Sequence, residues 1–79
     1  MNNKEKYNQS FLSSLSIDDK ILSENLKYND IPEWDSIGHM TLMSALEDAF
    51  EINIETDDIV DFSSYKKGLE ILAKYKVKF

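Results

Sequence analysis

A chain of 79 residues with a formal net charge of −6 has room for one domain and a single small core. Its acidity disfavours nucleic acid, whose binding relies on Lys and Arg neutralising phosphates, and favours basic protein surfaces as partners. The lack of cysteine excludes disulfides, a thiolate metal site and any thiol nucleophile of its own, and no apolar run approaches the roughly 18–20 residues that span a bilayer.

From the start of the chain, residues 1–9 are polar and lack the apolar segment of a secretory signal, so the expected location is the cytoplasm. Tyr7, Phe11, Leu12 and Leu15 recur at helical spacing and predict a first helix over residues 4–15, weakened at its end by Ser13, Ser14 and Ser16. Residues 16–35 form a long connection. Asn29-Asp30 and Pro32 make its second half irregular, while Ile17, Ile21, Leu26, Tyr28 and Ile31 are expected to pin it to the core. A connection of that length in a compact domain is often functional or packed on itself. Burial over this loop is the default for Trp34.

A second helix is predicted over residues 36–50, capped by Asp35 or Ser36, since either side-chain oxygen can accept from the first free amides. Ile52-Asn53-Ile54 alternates too briefly to read as a strand. Thr56 opens a short helical turn over residues 57–61. Its Asp57, Asp58 and Asp61 lack the spacing, central glycine and terminal glutamate of an EF-hand loop, and read as solvated acids that complement the helix dipole. Ser63 or Ser64 caps a last helix over residues 65–75, with Tyr65, Leu69 and Leu72 on one face and Ile71 and Tyr75 beside it. Gly68 inside it costs about 1 kcal/mol relative to alanine. Lys74, Lys76 and Lys78 suit the negative end of that helix. The expected fold is all-α: a small four-helix bundle of three main helices and one short one, with a long loop between helices 1 and 2. Residues 1–79 form a single domain, expected to be monomeric.

The second helix carries two stripes. Leu42, Ala45, Leu46, Ala49 and Phe50, bordered by His39 and Met43, form the core stripe. Ile37, Met40, Thr41, Ser44, Glu47, Asp48 and Glu51 lie roughly opposite, mixing apolar side chains with acids, and Ser36 stands at their N-terminal end. A purely structural helix gains nothing from Ile37 and Met40 in water, which makes this stripe a candidate docking face. Partial burial of both under the preceding loop is the plain alternative. Ser36 is either a helix cap or a hydroxyl to which something is attached. His39 is the sole histidine and reads as a boundary residue. With one histidine and no metal cluster, no catalytic set can be assembled, so the chain is not expected to be an enzyme.

Asp35-Ser36-Ile37, followed by Leu42, Ala45-Leu46-Glu47-Asp48, Phe50 and Ile52-Asn53-Ile54, resembles the acyl carrier protein family. That family carries Asp-Ser-Leu at the start of its second helix and then an Ala-Leu-Glu-Glu-x-Phe-x-Ile-x-Ile run. The triplet alone would carry nothing, but helix lengths, long first loop, acidity and total length agree, so the resemblance spans nearly the whole chain. It implies that Ser36, within an attachment motif that includes Asp35, bears a covalent 4′-phosphopantetheine transferred from coenzyme A by a phosphopantetheinyl transferase. The arm's thiol would hold an acyl group as a thioester. The missing cysteine fits a thiol imported on an arm, and a helix N-terminus suits an anionic phosphodiester. The transferase would supply metal and base, in keeping with the lack of a nucleophile–base pair here.

The resemblance further implies partner contacts at Asp35, Ile37, Met40, Glu47 and Asp48, to which the stripe adds Ser44 and Glu51. The partners would be acyl-loading and acyl-transferring enzymes with basic surfaces. An interior lined by Leu42, Leu46, Phe50, Ile54, Phe62, Leu69 and Leu72 would open to admit an acyl chain. Departures fall at Gly38 and Thr41, where the family often has acids, and at His39. Trp34 before the triplet and Gly38-His39 after it resemble discrete carriers outside the main fatty-acid cycle, in surface-sugar or secondary-metabolite pathways. Three functions stay open: an acyl carrier of fatty-acid or specialised metabolism, an aminoacyl or peptidyl carrier of the same fold, and an unmodified helical adaptor that binds through the acidic stripe.

Overall fold

Residues 2–79 are described by a computed structural model. They form four helices: α1 (Asn3–Leu15), α2 (Ser36–Phe50), α3 (Thr56–Asp61) and α4 (Tyr65–Lys74). Among the described residues there is no strand, only an isolated bridge between Lys27 and Ser64. No helix among them is long and apolar enough to cross a membrane.

Side chains just ahead of the helices fix where three of them begin. Asn2 Oδ1 accepts from the Glu5 amide at 2.8 Å, Asp35 Oδ1 from Gly38 at 2.8 Å, and Ser64 Oγ from Lys67 at 3.0 Å. Each satisfies an amide that has no carbonyl to bond within its own helix. The same three helices share a C-terminal device. Ser16, Glu51 and Lys76 adopt left-handed backbone, with φ of 54°, 54° and 68°. The next amide then reaches back five residues: Ile17 to Leu12, Ile52 to Glu47 and Val77 to Leu72. This is the Schellman arrangement, and an apolar residue follows the left-handed position each time, as the motif favours. None of the three uses the glycine that most such ends employ.

The core is one cluster that mixes aromatic and aliphatic side chains. Tyr7, Phe11, Trp34, Leu42, Leu46 and Leu72 are completely buried. The Phe11 ring meets Trp34 edge-on at 5.2 Å and Tyr65 at 5.5 Å between centroids. The Tyr7 hydroxyl, deep in this cluster, donates to the Tyr65 carbonyl at 2.7 Å. Gly68 has a reason beyond tolerance: a Cβ there would overlap the Tyr7 hydroxyl and the Phe62 ring. Its helix-propensity cost is the condition for this close approach.

The loop over residues 16–35 is held by Ile17, Leu26 and Trp34, with Leu22, Tyr28 and Ile31 partly covered. It is also stitched to the start of α4, since Tyr28 donates to the Ser63 carbonyl and Tyr65 to that of Leu26. Ile21, expected among the pins, is exposed instead. Its segment is held by a local turn, in which the Asp18 carbonyl accepts from Ile21 and the Asp18 side chain from Lys20.

Asp58 also departs from expectation. It is buried, and its carboxylate accepts from Lys74 Nζ and from the Tyr75 hydroxyl. That hydroxyl accepts in turn from the Glu55 amide at 2.9 Å. Lys74, expected only to complement the dipole of α4, is thus engaged in tying α3 to it.

Candidate functional site

The start of α2 assigns the cap to Asp35. Asp35 has extended backbone and supplies the cap, so the Ser36 hydroxyl is released from it. Ser36 is exposed, and its Oγ lies 3.2 Å from the Tyr28 hydroxyl, either of which can donate. The amides of Ser36 and Ile37 belong to the first turn, where no intrahelical carbonyl reaches them. A phosphodiester on Ser36 Oγ would therefore find two free amides and the Tyr28 hydroxyl as donors, against one like charge at Asp35. The residues present fit the implied group.

Gly38 is explained by the loop in front of it. A Cβ at this position would overlap the Glu33 carbonyl oxygen and press on the Leu15 side chain. The glycine lets the end of the loop lie directly on the first turn of α2, which brings Trp34 and Tyr28 beside Ser36. The acid that the resemblance would put here is excluded by backbone packing.

His39 sits one turn into α2 and is half-buried. Trp34 Nε1 donates to His39 Nδ1 at 2.9 Å, so Nδ1 is the acceptor and the proton is on Nε2. Nε2 lies 2.9 Å from the Ile59 carbonyl oxygen and donates to it. Loop, α2 and α3 are joined through this one imidazole. The ring also meets Tyr28 at 5.4 Å and Phe62 at 5.9 Å, both edge-on.

These side chains enclose a depression of about 250 Å³, lined by Tyr28, His39, Ile59, Val60, Phe62 and Ser63. Tyr28 links the two: its side chain lines this depression and its hydroxyl lies 3.2 Å from Ser36 Oγ. Of the seven side chains expected to line an acyl pocket, Phe62 alone borders this depression. Leu42, Leu46, Ile54 and Leu72 are packed in the core, and Phe50 and Leu69 lie half-covered at its margin. Leu69 borders a separate, shallow groove with Val77 and Phe79. The lining residues Tyr28, Ile59 and Val60 carried no site signal in the sequence. An exposed valine among acids in α3 was the available hint.

The docking stripe has an uneven character. Ile37 is 80% exposed and Met40 53% exposed, and Ser44, Thr41, Asp48 and Glu51 face solvent as well. The loop therefore does not cover Ile37 and Met40. Glu47 is different: it is half-buried and its Oε2 accepts from the Ile54 amide at 2.9 Å. Asp48 borders the α1 side, next to Lys6 and Ser10. Two of the acids expected on one face thus diverge to opposite edges of it. Val60 of α3, 75% exposed, adds an apolar side chain at the border of the depression.

Compared with models of protein families, with curated proteins and with solved structures, the chain matches none.

Proposed function

We propose that this chain is a carrier whose Ser36 bears a 4′-phosphopantetheine arm and whose exposed α2 face docks successive enzymes. The observation that supports it best is the Ser36 hydroxyl itself, freed from capping by Asp35, exposed, and within hydrogen-bond reach of Tyr28, which lines an apolar depression. The sequence run from Asp35 to Ile54 resembles carriers of this kind. In the attachment step, Ser36 Oγ bonds to the phosphorus next to the pantetheine of coenzyme A. The pyrophosphate P–O bond breaks, adenosine 3′,5′-bisphosphate leaves, and the hydroxyl proton passes to a base of the transferase. When bound, the arm supplies the thiol that holds cargo as a thioester. The protein's own residues contribute position: the Tyr28 hydroxyl lies beside the attachment oxygen, the first turn of α2 has free amides for an anion, and no group of this chain acts as a base on that oxygen.

Docking on this reading uses Ile37, Met40 and Val60 as exposed apolar contacts, with Asp48 and Glu51 as charged surroundings. The test of carriage is an intact mass after incubation with coenzyme A and a broad-specificity phosphopantetheinyl transferase. Wild type gains one phosphopantetheine and Ser36→Ala gains none. A wild type without added mass leaves the adaptor reading, in which the same face binds a partner with Ser36 unmodified.

A further inference from the structure

His39 is one of the side chains that line the depression, and its imidazole accepts from the completely buried Trp34. The imidazole is fixed by two hydrogen bonds to different elements, one from Trp34 and one to the Ile59 carbonyl. The core of the bundle is filled: Trp34, Leu42, Leu46 and Leu72 are completely buried and Phe62 nearly so. The packing near Phe62 is so close that Gly68 has no room for a methyl group. A chain that occupies the depression meets the apolar side chains of Ile59, Val60 and Phe62 and the fixed imidazole of His39. Going deeper requires both bonds to break and buried rings to shift. Each buried donor or acceptor left unpaired opposes that entry by roughly 5- to 150-fold.

We propose that His39 sets the depth of the cargo site, and that the cargo class is a short-chain acyl thioester whose apolar end stops at the imidazole. The inference rests on the carrier reading above and adds the cargo to it. Long alkyl chains have no room in the interior and remain on the surface. His39 is thus a specificity-determining residue that acts through its fixed position, with no chemistry of its own.

The experiment loads the full chain with acetyl, butyryl, octanoyl and palmitoyl arms from the matching acyl-coenzyme A compounds, and intact mass is read first. Side-chain methyl resonances and the rate of thioester cleavage by hydroxylamine are then followed. Ile59 and Val60 methyls are expected to respond to butyryl and to change no further from octanoyl to palmitoyl, while Leu42, Leu46 and Leu72 stay unmoved. In His39→Ala and His39→Thr, palmitoyl moves the leucine methyls and its thioester is cleaved at least about fivefold more slowly than in wild type. Palmitoyl-induced shifts at the leucines of wild type would overturn the proposal, as would silence of Ile59 and Val60 at every length. Folded variants that behave like wild type overturn it too. Where neither variant folds, the wild-type series decides between these outcomes. Absence of any added mass overturns the carrier reading and this inference together, whereas normal loading with the wrong length dependence overturns this inference alone.

Discussion

Asp35, Ser36 and Gly38 lie within four consecutive positions and do three different jobs, which substitution separates. Asp35→Ala removes the bond to the Gly38 amide and is expected to cost about 1 kcal/mol, read from chemical denaturation. Gly38→Ala gains the helix propensity of alanine, worth about 1 kcal/mol, but forces a Cβ onto the Glu33 carbonyl. The overlap is with backbone, which yields less readily than a flexible side chain. The net expectation is a loss of about 1–3 kcal/mol in the same measurement. Ser36→Ala should leave stability within about 0.5 kcal/mol of wild type, because its exposed hydroxyl bonds only to another partly exposed one. The triplet was legible as a motif, and either Asp35 or Ser36 was expected to cap. The choice between them was not legible, since both side chains carry a suitable oxygen and only the backbone angle at Asp35 decides.

Between elements, α3 is held by groups that titrate. The hydrogen bond from Lys74, then that from Tyr75, hold the Asp58 carboxyl below its ordinary value of 3.8. The unfolded chain therefore takes up this proton more readily than the folded one. The stabilisation is fully present above the ordinary carboxylate range and is lost as pH falls through the lowered value. Lys74 and Tyr75 show the opposite sign, each raised first by its bond to Asp58. Their contribution is present below their ordinary values of 10.5 and 10.0 and is lost as pH rises through the raised ones. Asp58→Asn is expected to flatten both limbs in thermal melts recorded across pH. The helix ends give a prediction of opposite direction. Left-handed backbone costs a side-chain-bearing residue about 1–2 kcal/mol, and glycine's extra entropy returns about 0.5–1 of that. Ser16→Gly and Glu51→Gly should each raise stability by roughly 0.5–1 kcal/mol in denaturant titrations.

At the scale of the whole molecule, charge and core act separately. Burial, and then the nearby Tyr65, push the Tyr7 phenol above its ordinary value. Its contribution is present below the usual tyrosine range and lost at high pH. Tyr7→Phe leaves the Tyr65 carbonyl without its buried donor, an expected loss of about 1–3 kcal/mol by calorimetry. The net charge of −6 acts outward. Binding to a basic partner, followed by titration calorimetry, should weaken steeply as added salt shortens the screening length from about 10 Å to about 3 Å. Helix number, order and approximate bounds were legible because apolar spacing at Tyr7 to Leu15 and Leu42 to Phe50 leaves little choice. The burial of Asp58 and the course of the loop at Ile21 were not, since each depends on a partner distant in sequence or on a local turn. The lining of the depression was hidden for the same reason: Tyr28, His39 and Ile59 meet only after three segments dock. The chain holds one tryptophan, and its indole N–H ends on the imidazole that lines the depression. The protein thus contains its own optical indicator. Anything that dislodges His39 changes the surroundings of the sole indole, so movement of this imidazole can be followed by intrinsic fluorescence without attaching a dye.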